Sequence, residues 1–210
     1  MITWIASDIH LSHANILKYC PNRRSGRPLP ESGTEEYKSE IHRMNELIIS
    51  NWNSVVDPDD EVYILGDVAM GQIHLSPVLI RRLNGKKYLI AGNHDKTLRK
   101  LINTNSEELG DLFVWIKDVH EMFWKVGDLK VPIFMSHYPV SHWNMMVSDY
   151  NKTSIHFHGH LHCSNGKHAH DGAIMDVGID GNDLFPYSLE EAVKLALNHA
   201  KDYPSKGHHS

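Results

Sequence analysis

Tyr88-Leu89-Ile90-Ala91-Gly92-Asn93-His94-Asp95 decides how this chain is read. A short apolar run ends in glycine, and three polar side chains able to bind metal or carry protons follow. That is the pattern of a buried strand delivering chemistry at its C-terminal end. Three more segments share the design: Trp4-Ile5-Ala6-Ser7 into Asp8-Ile9-His10, Val62-Tyr63-Ile64-Leu65 into Gly66-Asp67, and Ile133-Phe134-Met135-Ser136 into His137. A fifth, Ile155-His156-Phe157-His158, runs into Gly159-His160-Leu161-His162.

Between these strand ends the chain alternates. A strand at 2–6 is followed by a loop at 20–33, too rich in proline and glycine for regular structure. Ser32 and Glu35 have capping-box spacing, and Tyr37, Ile41, Met44, Ile48 and Trp52 recur at helical intervals, predicting a helix over 35–53. A strand over 61–65 precedes a helix opened by Ser76-Pro77 and closed at Asn84-Gly85. A strand over 87–91 and a helix over 96–103 follow. This βαβα rhythm implies parallel pairings covered by helices, with the ligand outside the carboxyl ends of the strands. From Val114 the strands crowd together, at 114–117, 121–126 and 129–136, predicting a second, more antiparallel half. Strands over 154–158 and 173–178 and a helix from Ser188, with Glu191 as capping partner, to about residue 201 complete the reading.

At 210 residues the chain is the size of one domain, assigned to 1–203, with 204–210 read as a disordered tail or tag remnant. Its net charge of -5 argues against a generic nucleic-acid binder, so nucleic acid is not expected as a stable partner. Cys20 and Cys163 lack a paired spacing, which points away from a disulfide scaffold and toward a reducing compartment. No basic leader and no run of about 18 apolar residues is present, so no membrane association is expected and the cytoplasm is the default location. The compositional anomaly is 17 histidines, most of them outside the tail falling within 137–142 and 156–170. Such clustering calls for a metal.

Together the strand ends present carboxylates from Asp8 and Asp67, imidazoles from His10, His137, His160 and His162, and the amide oxygen of Asn93. Mixed nitrogen and oxygen ligands suit manganese, iron, zinc, cobalt or nickel, and the lack of positioned thiolates excludes a cysteine-type structural zinc site. The set exceeds what one tetrahedral ion needs and fits two ions sharing a carboxylate. Two ions about 3.5–4 Å apart are a common device for hydrolysing phosphate esters. On an extended chain residues i and i+2 share a side, so Asp8 with His10 and His160 with His162 are each expected to face one site as a pair. Glycines 66, 92 and 159 let the backbone turn sharply or approach a ligand closely.

In this order, Asp8-x-His10, Gly66-Asp67, Gly92-Asn93-His94-Asp95, His137 and Gly159-His160-Leu161-His162 resemble the motifs of the calcineurin-like metallophosphoesterase superfamily. Asp8-Ile9-His10-Leu11-Ser12-His13-Ala14-Asn15 and His137-Tyr138-Pro139 narrow the resemblance to a branch of small prokaryotic and phage phosphoesterases. The resemblance implies a four-layer αββα sandwich with two mixed sheets. It implies two divalent transition-metal ions, manganese first among manganese, iron, zinc, nickel and cobalt. Asp8, His10 and His162 would bind one ion, Asn93, His137 and His160 the other, and Asp67 would bridge them. A hydroxide bridging the ions would attack phosphorus, with His94 at the leaving group, oriented by Asp95. The implied substrate is a small phosphoester of phosphodiester or nucleotide type. A catalytically silent scaffold that keeps the fold is the alternative, and a nuclease would need an extended basic groove. Met70 stands where many members carry an aspartate, which puts the orientation of a ligand histidine in question.

Other residues have two readings each. His13 and Asn15 line the substrate pocket or cap a helix containing Ile16 and Leu17. Arg23, Arg24 and Arg27 form a phosphate-recognising flap, bidentate on phosphate oxygens, or are solvated loop charges. His142, Trp143 and Asn144 contact substrate or pack within their loop. Cys163 reads as a buried structural thiol, and His156, His158, His168 and His170 support the ligands from behind or lie at the surface.

Overall fold

The first strand, β1 (Thr3–Ala6), is followed by the short helix α1 (Ile16–Tyr19). A computed structural model describes residues 1–71, 75–146, 154–162 and 172–202. The expected tail at 204–210, together with Cys163, His168 and His170, lies outside the described residues.

Helix α2 (Glu35–Val55) forms where the apolar spacing predicts, and buries Tyr37, Met44, Ile48 and Trp52. Its cap differs from expectation. Thr34, directly before the helix, accepts from the Tyr37 amide at 3.2 Å, so the nearer hydroxyl takes the bond assigned to Ser32. Then come β2 (Glu61–Ile64), α3 (Ser76–Arg81), β3 (Lys86–Ile90), α4 (Lys96–Thr104) and α5 (Ser106–Leu109). Pro77 sits in the first turn of α3 as expected, but the helix ends at Arg81, short of Asn84-Gly85.

The strand after α5, β4 (Trp115–Lys117), corrects a second expectation. It pairs in parallel with β3, Tyr88 opposite Trp115, and so belongs to the first half, not to the antiparallel one. The βαβ rhythm continues one unit further than the spacing of the strands suggests. Strands β5 (Val119–Val126), β6 (Leu129–Ser136), β7 (Ile155–His158) and β8 (Ile174–Asp176) form the second half. A short strand that the sequence does not announce, β9 (Tyr187–Ser188), leads into α6 (Leu189–Asp202), whose Glu191 amide donates to Ser188 Oγ as expected.

The result is an α/β sandwich of two mixed sheets with helices on both sides. One sheet has the order β4-β3-β2-β1-β9 and the other β5-β6-β7-β8. Among the described residues only β9 in the first and β5 in the second are antiparallel to their neighbours. Alternation along the strands feeds two cores. Ala6, Val62, Ile64 and Leu89 face α2, α3 and α4. Ile5, Tyr63, Leu65 and Ile90 face Ile133, Met135, Phe157 and Met175 of the second sheet, with Ala192, Val193 and Ala196 of α6 alongside. Each buried large side chain contributes about 1.5–3 kcal/mol, which fixes the two sheets face to face. The carboxyl ends of β1, β2, β3, β6 and β7 therefore converge.

Candidate metal centre

Beyond β1 and β2 the two chains stay paired. Asp8 donates its amide to Gly66, His10 to Asp67 and Leu11 to Val68, at 2.9–3.0 Å. Within this paired turn Asp8, His10, Ser12 and Asp67 have φ of 55°, 51°, 62° and 54°, and His160 and His162 have 73° and 48°. The expectation that extended backbone pairs these side chains is thus corrected. Left-handed backbone at alternate positions aims them. Such residues cost about 1–3 kcal/mol each when they are not glycine, although Asp and His tolerate the conformation better than most. The cost is met by fixed partners: Asn45 of α2 accepts from the Ser12 amide at 2.8 Å and donates to its hydroxyl at 3.1 Å.

Asp8, His10 and His162 form one group whose ligand atoms lie within 4.8 Å of one another. The Nε2 atoms of His10 and His162 are 3.1 Å apart, and Asp8 Oδ1 is 3.8 Å from the first and 3.6 Å from the second. These separations bracket the ligand spacing of about 3.4 Å that bonds of about 2.1 Å give around a tetrahedral ion. Asp8 Oδ1 is buried and has no hydrogen-bond donor among the described residues, while Oδ2 accepts from the His160 amide at 2.8 Å. An orphaned carboxylate oxygen between two imidazole nitrogens fits a cation. Burial pushes the Asp8 carboxyl up to about 7, against the pull of His162 and His137. Burial holds His10 well below its ordinary value, which leaves its ring neutral with a lone pair to offer.

Asp67, His137 and His160 form a second group. His137 Nδ1 donates to the Leu65 carbonyl at 2.8 Å, which leaves Nε2 as a lone pair facing Asn93 Oδ1 at 2.9 Å. With Nε2 unprotonated, this pair of acceptors fits a cation. Asp67 stands between the groups: Oδ2 is 3.5 Å from His137 Nε2 and 3.8 Å from His10 Nε2, while Oδ1 accepts from the His94 amide at 2.9 Å. Gly92 permits this approach, because a Cβ there would run into Asp67 Oδ1 and come 2.9 Å from the His137 ring. Gly159 does the same opposite Ser7 and Asp8.

His94 lies at the mouth, its side chain 34% exposed and its Nε2 3.9 Å from Asp67 Oδ2. The ring of His13 is 5.8 Å from that of His94 and 5.2 Å from that of His10, so His13 lines the same opening. Asn15 does not. It is exposed, and its side chain caps nothing.

Asp95 also departs from its expected part. Its carboxylate accepts from the amides of Asp67, Val68 and Gly92 at 2.8–3.0 Å and so staples the β2 loop to the β3 loop instead of holding the His94 ring. A three-amide acceptor site arises only when the two loops meet, so sequence spacing could not reveal it. Arg23 and Arg24 form no phosphate flap. Arg23 is fully buried and pairs with Asp180, while Arg24 donates to the carbonyls of Leu17 and Arg27. Trp143 and Asn144 pack locally, donating to Ser154 and Glu121.

Sequence reasoning missed Asp180. Its Oδ2 accepts from His162 Nδ1 at 2.8 Å, which turns Nε2 toward Asp8. Burial lowers the basicity of His162, but the Asp180 bond, the Cys20 contact and the charges of Asp8 and Asp180 together outweigh it and lift the ring to about 10; Asp180 itself, despite burial, is held well below the usual carboxylate range by His162 and Arg23. Cys20 was missed too, with its sulfur 3.9 Å from His162 Nδ1. By contrast His10 Nδ1 has no partner among the described residues, in line with the question Met70 raised. A cleft of about 380 Å³ adjoins the second group, lined by Asn93, His137, Tyr138, Val140, Lys96 and Arg99 among others. No helix among the described residues is long and apolar enough to cross a membrane.

No known family profile matches the chain. It is 39% identical over 95 residues to the uncharacterized protein MJ1445 of Methanocaldococcus jannaschii, a match spanning 44% of this chain and 46% of that protein. It is 27% identical over 200 residues to the Gene 66 protein of Mycobacterium phage L5, covering 85% of this chain and 86% of that one. The solved structure of the protein of unknown function AQ665 from Aquifex aeolicus superposes with a TM-score of 0.58 at 22% identity, covering 92% of this chain and 98% of that one, and so shares its fold. A novel archaeal phosphodiesterase gives a TM-score of 0.40 at 20% identity over 85% of this chain and 84% of that one.

Proposed function

We propose that this chain is a two-metal-dependent phosphoester hydrolase acting on small phosphodiesters or nucleotide-type esters. The observation that carries the reading is the position of Asp67 Oδ2, 3.8 Å from His10 Nε2 on one side and 3.5 Å from His137 Nε2 on the other. One carboxylate thereby serves two ligand groups. Asp8, His10 and His162 would hold one divalent ion, Asn93, His137 and His160 the other, and Asp67 both; this mixed oxygen and nitrogen set accepts manganese, iron, cobalt, nickel or zinc, among which the family resemblance puts manganese first.

Bound there, a pair of divalent ions supplies acidification of water and a positive clamp for phosphoryl oxygens. The chain's own groups do the rest. Two divalent ions exceed the charge of the carboxylates Asp8 and Asp67, so the site attracts an anionic ester. His94, half-exposed beside Asp67, is placed to hold or release a proton at the leaving-group oxygen. The cleft past Asn93 and His137 receives the leaving group, with Tyr138 and Val140 as its apolar wall and Lys96 at its rim.

The test is hydrolysis of a chromogenic phosphodiester and a phosphomonoester by metal-stripped protein with Mn²⁺, Ni²⁺ or Zn²⁺ restored, beside Asp67→Asn and His94→Ala. Turnover that requires metal and is lost in both variants supports the reading. A protein with both ion positions filled that turns over no ester is instead the silent scaffold.

A further inference from the structure

Arg23 has no accessible surface, and every bond its side chain makes leads toward one ligand group. Its Nε and Nη2 donate to the two oxygens of Asp180 at 2.8 and 2.7 Å. Nη2 also donates to the carbonyl of Asp8 at 2.6 Å, and Nη1 to that of Ile9 at 2.7 Å. Asp180 then accepts from His162 Nδ1. One guanidinium therefore ties the left-handed turn that carries Asp8 and His10 to the ring of His162. Among the described residues no ion pair stands behind an imidazole of the second group: His137 Nδ1 meets the neutral carbonyl of Leu65, and Asp95 holds backbone amides only.

We propose that Arg23, acting through Asp180, is the positioning residue of the Asp8-His10-His162 site alone, and that it makes this site the tighter of the two. The inference rests on the two-ion reading above. Burying an ion pair is poor value for stability, since an apolar pair of similar volume is often as good, so the pair is better explained by what it holds. A carboxylate behind a ligand histidine fixes its tautomer and raises its basicity, and losing such a partner typically costs about 10–100-fold in metal affinity. Among the described residues His10 has no partner of its own at Nδ1, so its aim depends on the backbone that Arg23 grips. Lysine cannot substitute, because a point charge does not reproduce the planar fork that reaches Asp180 and two carbonyls together.

The experiment is a Co²⁺ titration of metal-stripped full-length protein, followed by calorimetry and visible absorption, for wild type, Arg23→Lys and Asp180→Asn. His137→Ala versions of each isolate the first site. The expected result is two binding steps in wild type, of which the tighter weakens about 10–100-fold in both variants while the other moves by less than about threefold. Equal weakening of both steps, or of neither, in variants with wild-type circular dichroism overturns the proposal. Should both variants fail to fold, Zn²⁺-loaded wild type decides: a downfield, slowly exchanging Nδ1 proton on His162 that appears with the first equivalent of zinc supports it, and its absence overturns it. Wild type binding no ion sinks the two-ion reading itself, whereas two steps with unselective losses sink only this inference.

Discussion

The Nε2 atoms of His10 and His162 face each other at 3.1 Å across a buried carboxylate oxygen. Burial keeps His10 neutral, so the pair either shares the proton of His162 or grips a cation. Much of what can be measured on this protein follows from that choice.

Metal should stabilise the fold. An ion that binds only the native chain at a hundred times its dissociation constant adds about 2.7 kcal/mol per site. Thermal melts in Mn²⁺ and in chelator should therefore differ by several degrees, and Asp67→Asn should shrink the gap by weakening both groups at once. Coincident melts with and without metal would remove the metal centre.

Without metal, stability should fall as pH rises above about 7. Asp8 is raised from 3.8 to about 7, so its contribution is complete below its unfolded value and is lost through about pH 7. His162 is raised from 6.5 to about 10, so its contribution is complete below pH 6.5 and is lost through about pH 10. Both slope the same way. His10, His13 and His160, held low by burial, slope the other way but only below their unfolded value of 6.5. Melts in chelator from about pH 7 to about pH 9 should therefore decline, Asp8→Asn should flatten the lower part, and saturating metal should flatten the profile by displacing both protons. A chelated protein that grows more stable over this range would contradict the burial of Asp8.

His94→Ala should lower turnover by about 10²–10⁴-fold while leaving metal stoichiometry unchanged, because His94 sits at the mouth and is no member of either ligand group. Single-turnover assays beside metal analysis check this. Loss of bound metal in the variant would make His94 a ligand instead.

Gly159→Ala should damage both fold and site. The new Cβ would overlap Ser7 Oγ, which donates to the Leu65 carbonyl at 2.7 Å, and would come 2.5 Å from Asp8 Oδ2. A loss of about 1–3 kcal/mol in denaturant unfolding is expected, with weaker metal binding, and unchanged affinity would show that Asp8 can move freely.

Trp52→Ala should separate stability from function. Trp52 is 1% exposed in the helix-side core, donates to the Asn84 carbonyl and belongs to neither ligand group. Its removal should cost about 3–5 kcal/mol with metal stoichiometry preserved in the protein that remains folded.

The strands that end in ligands were legible because each couples a short apolar run to a glycine or a polar break, a signal confined to a few neighbouring residues. The stripe of α2 was legible for the same reason. Strand β4 was misplaced because three residues carry too little pattern to say which sheet they join; its parallel pairing with β3 is decided by where α4 and α5 return the chain. β9 has two residues and no pattern at all.

The sequence by itself determined which chemical groups this protein gathers: two carboxylates, four imidazoles and an amide, each at the end of a strand and in an order whose family resemblance implies two mixed sheets. That the second sheet is mainly parallel rather than mainly antiparallel came from the structure. Tertiary structure decided how they are aimed. The left-handed backbone at Asp8, His10, Asp67, His160 and His162 is not favoured by any of those residues locally and exists because paired loops, Asn45 and Arg23 hold it. The same holds for Asp95, a staple rather than a catalytic partner, and for Asp180, which lies 157 positions from Arg23 and 18 from His162 yet bonds both. Ligand type is a property of single residues; ligand direction is a property of contacts between distant segments, and only the folded chain brings those segments together.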